Sequence, residues 1–155
     1  MINRRTMLKH TALVGAALAT NQVMPLAMAQ RKFEPVKIGE LAKLDKENAT
    51  LTFNFDGQRA IVTRVAKPAK ASERVLEFKH QDTTVYLAAY NLACTHAGCE
   101  VDKPNQDLHL DCPCHGSRFA VDGTVIAGPA RQPLRAIQLK LEDGVLYAVD
   151  YLAVK

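Results

Sequence analysis

All four cysteines of this 155-residue chain fall in two short boxes, Cys94-Thr95-His96-Ala97-Gly98-Cys99 and Cys112-Pro113-Cys114-His115-Gly116-Ser117. Each box also carries a histidine, so soft sulfur and imidazole donors are concentrated at one place rather than scattered as a disulfide framework would be. That concentration reads as a metal site. Any fold the chain adopts must bring two loops, separated by residues 100–111, face to face.

Each box offers one thiolate and one imidazole at close spacing, as Cys94-x-His96 and Cys112-x-x-His115. Two sulfurs and two imidazoles suit a tetrahedral zinc ion. They equally suit a Rieske 2Fe-2S cluster, in which two cysteines hold one iron and two histidines the other. Zinc modules more often use C-x-x-C or H-x-x-x-H pairs, and a Cys2His2 zinc site would leave Cys99 and Cys114 idle.

The pattern C-T-H-x-G-C followed by C-P-C-H-G-S resembles the Rieske iron-sulfur family, in its disulfide-bearing branch. The match is specific over residues 94–119 and looser elsewhere. The resemblance implies that Cys94 and Cys112 hold the inner iron, that His96 and His115 hold the outer iron, and that Cys99 pairs with Cys114. It also implies an all-β fold: an antiparallel sandwich or barrel base carrying a small cluster-binding subdomain, about residues 86–125. Gly128-Pro129-Ala130 resembles the family's proline loop over the cluster, although Gly-Pro is also a plain turn signal.

Periodicity agrees with β structure. Leu51, Phe53 and Phe55 alternate with polar residues, as do the apolar positions of 137–141. Asp56-Gly57, Asp122-Gly123 and Asp143-Gly144 each separate strand-like runs, and Asp-Gly favours a two-residue hairpin. The apolar run 85–90 leads as a strand into the first box and residues 108–110 into the second, so both boxes are loops at strand ends. His109, alternating with Leu108 and Leu110, is expected to point to solvent or a polar pocket, and His80 to lie in a turn. The segment 67–73 reads as an exposed loop, whose Lys67 and Lys70, with the adjoining Arg74, could meet an acidic partner.

The first 29 residues read as an address. Arg4-Arg5, a short apolar run at 11–19 and Ala27-Met28-Ala29 occur in the order of a twin-arginine export signal with its cleavage site. The mature domain is then 30–155, expected in the periplasm. Asn21, Gln22 and Pro25 interrupt the run short of the ~20 apolar residues a span needs, so a cleaved signal is expected over a retained inner-membrane anchor facing the periplasm. The formal charge of +4, from 20 basic and 16 acidic residues, includes Arg4, Arg5 and Lys9; without these three it is +1, 17 against 16. That balance, and the absence of tryptophan, give no electrostatic or stacking basis for nucleic acid.

A 2Fe-2S cluster passes single electrons, and the chain has no room for the second iron domain of the family's oxygenases. It is expected to be an electron-transfer subunit, not catalytic alone. The resemblance implies first the small subunit of an exported oxidoreductase of the arsenite-oxidase type, beside a large molybdopterin subunit; the alternative is the Rieske subunit of a quinol:cytochrome c reductase, and cytochrome c or a similar protein is a possible acceptor. Gly116-Ser117-Arg118 departs from the arsenite-oxidase pattern, which often has a bulkier residue after the histidine. A structural zinc module is the third reading. In high-potential relatives the serine of C-H-G-S donates to a bridging sulfide and a tyrosine two positions on donates to a ligand cysteine. Here Ser117 is kept and Phe119 replaces the tyrosine, which implies a lower potential.

Overall fold

The computed structural model describes residues 32–153. The expected export signal and its cleavage site lie outside them. Ten strands follow in order: β1 Val36–Glu40, β2 Thr50–Phe55, β3 Gln58–Val65, β4 Val75–His80, β5 Thr83–Asn91, β6 His109–Asp111, β7 Arg118–Ala120, β8 Val125–Ala127, β9 Ile137–Glu142 and β10 Val145–Tyr151. Among the described residues one 3-10 turn, Leu41–Lys43, interrupts them. They form three antiparallel sheets, in the orders β1-β10-β9, β2-β3-β5-β4 and β6-β7-β8.

Two hydrophobic cores lie on opposite faces of the four-stranded sheet. On one face Phe53, Phe55, Ala60, Val62, Val85, Leu87 and Ala89 pack against Ile137, Leu139, Leu146 and Ala148 of the β1-β10-β9 sheet, making the sandwich base. On the other, Ile61, Val65, Ala88 and Tyr90 pack under the small sheet with Leu92, Leu110, Phe119 and Leu134. Because side chains alternate across a strand, β3 and β5 serve both cores. This accounts for the apolar run 85–90, since a strand covered on both faces loses the alternation of a half-exposed one.

The turns separate by geometry. Asp56-Gly57 and Asp143-Gly144 have both residues at positive φ (51° and 73°, 47° and 77°) and close two-residue hairpins, as expected. Asp122-Gly123 does not: only Gly123 has positive φ (80°), and a longer loop joins β7 to β8 across a register shift. There the Asp122 carboxylate accepts from the Thr124 N–H at 3.0 Å and hydroxyl at 2.7 Å, replacing the tight turn with a side-chain-stabilised one.

Several expectations need correction. β5, which includes residues 86–91, pairs into the four-stranded sheet, whereas β6, β7 and β8 make the small sheet. Leu108 is not on a strand: it sits at φ 61° in a turn, partly exposed, and β6 starts at the half-buried His109. His80 ends β4, paired with Thr83, rather than lying in the turn itself. Arg74 is not available to an acidic partner; it is buried, whereas Lys67 and Lys70 are exposed.

Candidate metal centre

The two boxes fold into the same loop. In the first, the Cys94 N–H donates to the Cys99 carbonyl at 2.8 Å and the Gly98 N–H to the Cys94 carbonyl at 2.7 Å. In the second, the Cys112 N–H donates to the Ser117 carbonyl at 2.8 Å and the Gly116 N–H to the Cys112 carbonyl at 3.0 Å. Both fifth residues are glycines at positive φ, 78° and 69°, the conformation that lets each loop turn back on itself. A bridge between Ala93 and Glu100 closes the neck of the first loop, and β6 and β7 close the second through Asp111↔Arg118. A charge pair crosses each neck or flanks it: Arg118 to Asp111 at 2.6 Å, and Arg59 to Glu100 at 3.4 Å.

This loop form turns backbone donors onto sulfur. Burial alone would push the Cys94 thiol up, but the N–H groups of His96 and Ala97, with the Cys112 thiol and the Ser117 hydroxyl, hold it below its ordinary value. Cys112 is pushed up, by burial first and also by Cys94, against the opposing N–H groups of Cys114 and His115. Adjacent buried thiols cannot both ionise cheaply, a repulsion that a bound cation relieves. The four amides were not among the residues singled out from sequence. Their signal was nevertheless present: both boxes read C-x-x-x-G.

The expected ligands come together in pairs. Cys94 and Cys112 are buried in one core cluster, whereas His96 and His115 are exposed with ring centroids 4.8 Å apart. Among the described residues no three His, Cys, Asp or Glu side chains converge as they would around one ion. A tetrahedral zinc would need all four donors within ~2.0–2.3 Å of a single point. A buried sulfur pair and an exposed imidazole pair instead match a group with two metal atoms of different ligation. Cys99 and Cys114 form a disulfide that joins the loops, with Cα atoms 6.5 Å apart.

The segment after β8 lies against both loops. A Cβ on Gly128 (φ 91°) would come within 2.5 Å of the Ser117 Cα and 2.6 Å of the Gly116 carbonyl oxygen, so this contact admits only glycine. The Ala130 N–H donates to Ser117 Oγ at 3.1 Å, and the Thr95 hydroxyl donates to the Gln132 carbonyl. Pro129 is exposed while Ala130 and Leu134 are buried. Ser117 and Phe119 are wholly buried; Phe119 shares its core with both free cysteines.

Fold and site together define a β protein built to hold a two-metal group between two equivalent loops. The Rieske 2Fe-2S domain model matches residues 34–138, and the chain belongs to that family, in its disulfide-containing branch. Its cofactor is a Rieske-type 2Fe-2S cluster. Similar curated proteins include the cytochrome b6-f complex iron-sulfur subunit 3 of Nostoc, 48% identical over 52% of this chain and 46% of that protein. Another is the cytochrome b6-f complex iron-sulfur subunit 2 of Trichormus variabilis, 29% identical over 94% of this chain and 84% of that one. The chain spans only 12% and 46% of the length of the first two curated relatives it matches. Among solved structures, the cyanobacterial plasma membrane Rieske protein PetC3 from Synechocystis aligns with TM-score 0.54 at 25% identity, over 74% of this chain and 98% of that one.

Proposed function

We propose that this chain is the Rieske subunit of a quinol-oxidising cytochrome complex, with Cys94 and Cys112 as ligands to one iron and His96 and His115 as ligands to the other. The observation that carries the complex assignment is the run of relatives named as cytochrome b6-f iron-sulfur subunits, one of them alignable over 94% of this chain. They favour this reading over the arsenite-oxidase type expected from sequence.

The cluster, when bound, accepts and returns one electron at a time. The chain's own residues arrange its surroundings. Backbone amides of both loops and Ser117 donate to the cysteine sulfurs, which stabilises the electron-rich state. The disulfide ties the loops, and residues 128–132 cover them while leaving His96 and His115 exposed, so the imidazole edge is the face open to a partner.

Phe119 favours a second reading, the small subunit of an exported molybdenum oxidoreductase, because the family's high-potential tyrosine is absent. Residues 1–29 bear on compartment: we assign them as a twin-arginine signal directing the chain to the periplasm. Changing Arg4 and Arg5 together to Lys tests this by retention in the cytoplasm.

The deciding experiment has two arms. Electron paramagnetic resonance of the reduced protein should give a Rieske-type signal that is lost on replacing Cys94, His96, Cys112 or His115. A colourless zinc protein would overturn the ligand assignment. Affinity purification of the tagged chain from its source should co-isolate a b-type cytochrome; recovery of a molybdopterin subunit instead would overturn the complex assignment.

A further inference from the structure

Arg74 lies just before β4 in the sandwich base, far in sequence from the boxes, yet its guanidinium ends inside the cluster-binding half. Only 6% of the residue is exposed. Its Nε donates to the Asp122 carbonyl at 3.0 Å and its Nη2 to the Leu134 carbonyl. A buried cation is costly unless its donors are met, and here two backbone oxygens meet it with charge-assisted bonds, which are among the stronger kinds. The backbone is fixed as well: the Arg74 N–H donates to Ser72 Oγ at 3.2 Å.

Three features show that the surroundings are fitted to this side chain. A Cβ on Gly123 would come within 2.8 Å of Arg74 Nη2, so the glycine leaves the space the guanidinium fills. The Leu134 N–H donates to the Gly123 carbonyl at 2.9 Å, closing a ring through Arg74, residues 122–123 and Leu134. Beside it the buried Tyr90 hydroxyl donates to the Val121 carbonyl at 2.8 Å.

Leu134 is the far end of the segment that covers the loops. That segment is tied to the second box where Ala130 meets Ser117 and to the first where Thr95 meets Gln132. Arg74 supplies the tie to the base. Ser117 in turn closes the second ligand loop: it is wholly buried, and its carbonyl accepts from the Cys112 N–H at 2.8 Å.

We propose that Arg74 is a positioning residue for the metal centre: by holding Leu134 and Asp122 it seats residues 128–134 on Ser117, and so fixes the loop that presents Cys112 and His115. The inference rests on the site reading above, with Cys112 and His115 as ligands. A clamp serving folding alone would alter the unfolding temperature and leave the native potential untouched.

The test uses the full cluster-bearing protein with Arg74→Lys and Arg74→Met. Lysine keeps the charge but cannot reach two carbonyls in a fixed fork. Protein-film voltammetry should show the midpoint potential lowered in both, with the reduced-to-oxidised ratio at a fixed applied potential falling three- to tenfold; tenfold equals about 59 mV for one electron. Hydrogen-deuterium exchange should show the Ala130 amide losing protection. In the wild type, the amides of Ala130 and Leu134 should open at one common rate, a measurement needing no variant. Unaltered potential and exchange in either variant, or independent opening of the two amides in the wild type, would overturn the proposal. A wild-type protein with no Rieske-type resonance would instead overturn the site reading beneath it.

Discussion

The Ala130 N–H donates to the Ser117 hydroxyl at 3.1 Å, and the Ser117 carbonyl accepts from the Cys112 N–H at 2.8 Å. One wholly buried residue therefore links the covering segment to an expected ligand.

Ser117→Ala should accordingly have two separable effects. Leaving the buried Ala130 N–H without an acceptor costs about 1–3 kcal/mol of stability. Removing a donor from sulfur disfavours the reduced state, so the midpoint potential should fall by several tens of millivolts, given about 59 mV per tenfold change in equilibrium. Thermal unfolding and film voltammetry measure the two independently. A potential unchanged beside a lowered unfolding temperature would mean that Ser117 only supports the fold.

Gly128→Ala isolates the contact of the covering segment with the second loop. The new Cβ meets backbone, Ser117 Cα and the Gly116 oxygen, and no side-chain rotation can relieve it. With φ at 91° the alanine is strained in any case, a cost on the order of 1–3 kcal/mol. The segment should lift, the unfolding temperature should drop by several degrees, and the cluster should bleach faster in air. Pro129→Ala, at an exposed position, should leave all three closer to wild type.

The all-β fold was legible because turn chemistry and alternation agree along the base: Leu51, Phe53 and Phe55 do turn increasingly inward, and two of three Asp-Gly pairs form the tight hairpin. Asp122-Gly123 was misjudged because the dipeptide specifies which conformations are accessible, whereas Arg74 and Tyr90 packing on it select a wider loop. Arg74 itself was misjudged for a related reason. Its neighbours Lys67 and Lys70 are exposed, and local composition carries no record of a partner at Leu134, sixty residues away. The donor types of the centre could be read directly from the boxes, whereas the amides that cap the sulfurs, which every residue has, were marked only indirectly by the C-x-x-x-G spacing of both loops.

Cys99→Ser with Cys114→Ser removes the tie between the loops and leaves all four expected ligands in place. A bridge closing a separation of 15 residues contributes about 3 kcal/mol through the unfolded chain. The double variant should lose stability on that order, and its cluster absorbance should decay faster once the loops part and water enters. Visible absorbance against time, with and without a reductant added to the wild type, checks it. Equal decay in all three conditions would leave the bridge no role at the centre.

Phe119→Tyr tests the absent tyrosine directly. Phe119 is on β7, wholly buried in the core that includes Cys94 and Cys112, and its ring fills that space. A hydroxyl added there must find an acceptor, because burying it unpaired costs roughly 1–3 kcal/mol on mutational scales. If the ring tip faces sulfur, the Cys94 thiolate provides one, and a net hydrogen bond to a charged group contributes about 1.5–3 kcal/mol. Only the difference between redox states reaches the potential, so the expected rise is several tens of millivolts, with stability falling by less than the unpaired cost. A lowered unfolding temperature together with an unchanged or lowered potential would mean that residue 119 points away from the ligand sulfur. The lower potential expected for this chain from its phenylalanine would then have to be withdrawn.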